Sequence, residues 1–85
     1  MALADRVPEI LLPHLLWTGS RLREIREAGG HPAEEVASRA GIRRSTIVRI
    51  ESGHVAPTLE TLVRIAMALD VSPRELVTDA RFQDG

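Results

Sequence analysis

Residues 30–57, GHPAEEVASRAGIRRSTIVRIESGHVAP, decide the fold of this chain. Val36, Ala37 and Ala40 make one apolar stripe at i, i+1, i+4, and Ile42, Ile47 and Ile50 make a second just after Gly41. Two stripes so close in sequence can cover each other only if the chain turns sharply between them. A glycine supplies that turn, because it adopts φ > 0 without the steric penalty other residues meet. A first helix is therefore expected to end at Gly41, with a second beginning within about three or four residues. The spacing predicts that second helix over 44–51. Its inward side is taken by Ile47 and Ile50, so at about 100° per residue the outward side carries Arg44, Ser45, Val48 and Arg49. That face is short, polar and positive.

Working outward toward the N-terminus, Pro32 is expected to open the first of these helices, with Glu34 and Glu35 in its first turn, where carboxylates favour the positive helix end. Before it, Leu15, Leu22 and Ile25 recur at helical spacing, Arg21, Arg23, Glu24 and Glu27 fall largely outside that stripe, and Gly29-Gly30 stops the run. This predicts a helix over 13–28, with Pro13 at its first position. Val7, Ile10, Leu11 and Leu12 are apolar as well, yet Pro8 and Pro13 forbid one uninterrupted helix through them. Toward the C-terminus, Gly53 and Pro57 punctuate a loop. Thr58 is then a good N-cap, and Leu59, Leu62, Ile65, Ala66 and Leu69 predict a fourth helix that packs on the first three. Ser72-Pro73 repeats the cap signature before a short fifth helix over 74–78, in which Leu76 and Val77 are apolar. The expected division is an N-terminal extension over 1–12, one helical domain over 13–79 and a frayed tail over 80–85.

Composition bounds this reading. At 85 residues the chain has room for one domain, and with 44% hydrophobic residues but one Trp, one Phe and no Tyr its core must come from Leu, Ile, Val and Ala. Such a core favours helices over sheets. The absence of cysteine removes disulfides and thiolate metal sites. Asp5 and Glu9 interrupt the start, which lacks a basic region ahead of an apolar core, so no signal peptide is expected. The uncharged run over 10–20 falls short of the roughly 20 residues a membrane span needs. A cytoplasmic protein with no membrane partner is expected. His14, His31 and His54 lie far apart without neighbouring ligands, no Gly-rich phosphate loop is present, and neither an enzyme nor a cofactor is expected.

The order of motifs carries a resemblance. Val36-Ala37, Gly41-Ile42, Ser45-Thr46-Ile47, Ile50-Glu51-x-Gly53, Pro57-x-Leu59-x-x-Leu62 and Ile65-Ala66-x-Ala68-Leu69 together resemble the helix-turn-helix of the lambda-repressor-like (Xre/Cro) DNA-binding family, from about residue 19 to 77. The resemblance implies an all-α, compact five-helix lambda-repressor-like domain, here with an apolar N-terminal extension. It implies double-stranded DNA as partner, with the outward face of the second helix of the motif in the major groove. It also implies an ion pair between Arg26 and Glu51, where the bland alternative is two separate surface charges.

On this reading Arg43, Arg44, Ser45, Val48 and Arg49 are the candidate DNA-binding residues. An arginine fork donates two hydrogen bonds to O6 and N7 of guanine, worth about 1–3 kcal/mol of discrimination per good pair. Against it stand a net charge of −1 and a pI of about 6.3, low for a nucleic-acid binder. The distribution matters more than the sum. All 11 basic residues are arginine, and Arg43, Arg44 and Arg49 fall in a segment without an acid. Two departures from the family remove phosphate contacts: Ala33 stands where a Gln is usual, and His54-Val55-Ala56 replaces a basic loop. Modest affinity per monomer is therefore expected, offset by a homodimer whose contact includes Val7, Ile10, Leu11, Leu12, Leu16 and Trp17, with Leu76 and Val77 as the competing surface. The expected role is a transcriptional regulator, a repressor by occlusion. The rival is a protein-interaction module of the same fold, antitoxin-like or a co-regulator, that meets a protein partner through the N-terminal segment.

Overall fold

The computed structural model describes residues 12–77, which form five helices and, among the described residues, no strand. They are α1 (Leu12–Ala28), α2 (Ala33–Ala40), α3 (Arg44–Glu51), α4 (Leu59–Leu69) and α5 (Arg74–Val77). The all-α, five-helix expectation holds, with boundaries shifted by a residue. α1 starts at Leu12, which leaves Pro13 in its first turn, and Pro32 is the extended residue before α2 (φ −61°, ψ 148°) instead of its first helical one. The apolar extension lies outside the described residues, apart from Leu12.

The turn at Gly41 forms as its residue type requires. Gly41 is left-handed (φ 71°, ψ 33°), its N–H donates to Ser38 O (3.2 Å), and Ile42 N–H donates to Ala37 O (3.0 Å). The last carbonyls of α2 thus find partners without water. α4 begins on the Thr58 cap, whose Oγ1 accepts from Thr61 N–H at 3.1 Å, and Ser72 Oγ accepts from Arg74 N–H at 3.2 Å before α5.

The core is one cluster drawn from all five helices: Leu22 of α1, Val36, Ala37 and Ala40 of α2, Ile47 and Ile50 of α3, Leu62, Ile65, Ala66 and Leu69 of α4, and Leu76 of α5. Both stripes around Gly41 are inside it, with Ile42 partly buried against them. Each fully buried Leu or Ile contributes roughly 1.5–3 kcal/mol over an exposed one. α2 packs on α3 and α4, and α1 packs on α3 and α5, so α3 is gripped on its inner side by α1 and α2.

Two expectations are corrected. Leu59 belongs to the periodic stripe of α4 by spacing, yet it is 76% exposed. It is the first residue of that helix, one turn short of where α4 meets the core at Leu62. Leu76, expected with Val77 as a competing dimer surface, is 0% exposed and is core; only Val77 faces outward.

Candidate nucleic-acid interface

α3 is an eight-residue helix with two unlike sides. Ile47 and Ile50 are at most 2% exposed, while Arg44, Ser45, Val48 and Arg49 are all exposed, together with Arg43 just before the helix. All five candidates are therefore exposed, four of them on the side of α3 opposite Ile47 and Ile50 and Arg43 just ahead of it. Arg43 is extended (φ −81°, ψ 149°) and no side chain caps the first N–H groups of α3. These free donors add to the positive character of that helix end.

The far end of α3 is held firmly. Ser52 Oγ donates to Val48 O at 2.8 Å, Gly53 N–H donates to Ile50 O at 3.0 Å, and His54 N–H donates to Arg49 O at 2.9 Å. From the other side Arg26 of α1 reaches Glu51 with two hydrogen bonds, Nε to Oε2 at 2.6 Å and an end nitrogen to Oε1 at 3.0 Å. The remaining end nitrogen of Arg26 donates to His31 O at 3.0 Å. The side chains are 14% and 10% exposed, so this expected ion pair is a fork-on-fork contact in a mostly dry setting. Hydrogen bonding to Glu51, opposed by burial and assisted by the charges of Glu51 and Glu27, raises the Arg26 pKa above its already high ordinary value. One guanidinium thus fixes the end of α3 and the approach to α2 to the same turn of α1.

The arginines divide into two groups. Arg21 pairs with Glu24 and Glu75, Arg23 with Glu27, Arg26 with Glu51, Arg39 with Glu35 and Arg64 with Glu60. Among the described residues no carboxylate pairs with Arg43, Arg44 or Arg49, nor with Arg74 on α5. Among the described residues, three of the four arginines without a carboxylate partner thus lie on α3 or just before it, in a chain of net charge −1.

Two positioning features escaped the sequence reading. Gly19, inside α1, lies where α1 crosses the end of α3: a Cβ there would overlap Ile50 O and come within 2.8 Å of Glu51 O. Gly53 is covered by Leu16, whose Cδ2 would be 2.6 Å from an added Cβ. The available signal was Gly19 itself, since a glycine inside a helix costs about 1 kcal/mol against alanine and so calls for a packing reason. Ala33, where a phosphate-reaching side chain was missed, is partly buried against the core. Among the described residues no group of three His, Cys, Asp or Glu could hold a metal ion, and no helix is long and apolar enough to cross a membrane.

Comparison with known proteins gives the family. A family model described as Helix-turn-helix matches residues 22–76, and the chain belongs to that family, with the lambda-repressor-like fold. An uncharacterized HTH-type transcriptional regulator of Methanothermobacter thermautotrophicus is 44% identical over 63 residues, 74% of this chain and 87% of the relative. The restriction-modification controller protein C.AhdI from Aeromonas hydrophila superposes with a TM-score of 0.72 at 40% identity, covering 73% of this chain and 94% of that one. SinR, a master regulator for biofilm formation solved in complex with DNA, superposes with a TM-score of 0.67 at 29% identity, covering 72% and 98%.

Proposed function

We propose that this chain is a sequence-specific double-stranded DNA-binding transcriptional regulator that works in the cytoplasm and represses by occupying its operator. α3 lies in the major groove, with Arg44, Ser45, Val48 and Arg49 toward base edges and Arg43 on a phosphate or an adjacent base. The observation that carries this reading is the unpaired state of Arg43, Arg44 and Arg49 on a face whose reverse side is wholly buried, in a chain that pairs most of its other described arginines. A relative solved on DNA adds weight. Binding-site selection from random duplexes tests it: one short motif should be enriched, and failure to enrich any sequence over the input would overturn the reading.

A further inference from the structure

Resting on that reading, we infer that Ser45 is a phosphorylation site for a serine/threonine protein kinase that selects arginines just ahead of its target, and that the phosphate turns DNA binding off. Ser45 is exposed, and among the described residues its hydroxyl has no hydrogen-bond partner, whereas the hydroxyls of Ser52, Thr58 and Ser72 are each engaged in a turn or a cap. Ser20 and Ser38 are exposed as well. Thr18-Gly19 and Val36-Ala37 precede them, however, and no serine but Ser45 follows an arginine. Thr46 comes after the same arginines but is half-buried. A kinase takes its target as an extended strand, and the chain reaches Ser45 from an extended Arg43 (φ −81°, ψ 149°). The first turn of α3 has no side-chain cap, and one of its bonds, from Ile47 N–H to Arg43 O, is long at 3.4 Å. Helix ends of this kind fray locally, and opening this turn exposes Ser45 while Ile50 stays in the core.

The step is an ordinary phosphoryl transfer. Ser45 Oγ attacks the γ-phosphorus of a nucleoside triphosphate, a P–O bond forms to Oγ while the P–O bond to the β-phosphate breaks, the hydroxyl proton passes to the carboxylate base of the kinase, and the nucleoside diphosphate leaves. The product carries a charge of about −1.5 to −2 at pH 7. Arg44 adjoins it, Arg43 lies two residues ahead and Arg49 one turn on, and none of the three has a carboxylate partner. The phosphate oxygens therefore take the guanidinium groups that would otherwise meet DNA. The same anion also repels the DNA backbone. Both effects act on binding and leave the buried side of α3 untouched.

The test incubates the full chain with ATP and a purified arginine-directed kinase, locates the phosphate by tandem mass spectrometry, and compares treated and untreated protein on a duplex taken from the selection experiment. Phosphate should enter at Ser45, should enter more slowly in Arg43→Ala, and should be absent from Ser45→Ala, whose fold is protected by the better helix former. The phosphorylated chain should bind at least about tenfold more weakly, the value of one lost base contact. Its circular dichroism should match that of the untreated chain, and a phosphatase should restore its affinity. No incorporation, or phosphate only at another residue, would overturn the inference. So would a chain phosphorylated at Ser45 that keeps its affinity or loses its helicity. In each of these cases sequence-specific binding by the untreated chain would leave the DNA reading standing. An untreated chain that binds no duplex would overturn the two together.

Discussion

At the scale of single residues, Gly19 shows how a position without a side chain can set a helix crossing. Alanine there would favour α1 by about 1 kcal/mol through propensity alone, yet its Cβ would overlap the carbonyl oxygens of Ile50 and Glu51 at the end of α3. Backbone cannot move aside as a flexible side chain can, so Gly19→Ala should be net destabilising by about 1–3 kcal/mol. Urea melts of the two proteins check this, and a variant as stable as the parent would mean that α1 and α3 have slack at their crossing. The same carbonyls explain why periodicity did not find the contact: hydrophobic spacing reports what side chains bury, and here backbone meets backbone. Leu59 marks the converse limit. Its spacing fits the stripe of α4, but spacing does not say where along a helix the core begins.

At the scale of elements, the pairing of Arg26 with Glu51 does for charge what Gly19 does for shape. It joins α1 to the last residue of α3 while also holding His31 O at the entry to α2. Removing either partner leaves a mostly buried charge alone, so Arg26→Ala and Glu51→Ala should each cost about 1.5–3 kcal/mol, and the double variant clearly less than their sum. A double-mutant cycle in urea decides this; additive single effects would make the two charges independent. Most of α2 and α3 was legible in the sequence because three local signals agreed: stripes of the right period, a glycine at the turn, and an outward face without an acid. The ion pair was not legible from residues 25 positions apart in sequence and entered only through the resemblance to a family. Leu76 was misread for a related reason. A four-residue helix is too short for its period to say which side is buried.

At the scale of the whole molecule, the departures from the family at Ala33 and over 54–56 make a two-fold dimer the expected working unit, reaching half-sites about one helical turn, roughly 34 Å, apart. Of the competing surface, Val77 stays open and lines a hollow of about 310 Å³ with His14, Leu15, Thr18, Pro57 and Leu62. Val77→Glu, and Ile10→Glu with Leu11→Glu in the extension, should therefore each lower the association state in sedimentation. Leu76→Ala should instead cost about 2–5 kcal/mol of fold stability. A parent chain that sediments as a monomer, and whose affinity ignores half-site spacing, would remove the symmetric unit.

The central claim is that a chain of net charge −1 reads DNA through the unpaired arginines of one short helix. It is tested most directly by the affinity of the parent, Arg44→Ala and Arg49→Ala for the selected duplex and for its complete set of single-base variants. Each substitution should cost about 1–3 kcal/mol on the preferred duplex and flatten base preference at one guanine position, a different one for each arginine. Variants that bind as tightly as the parent, with base preferences unchanged, would contradict it.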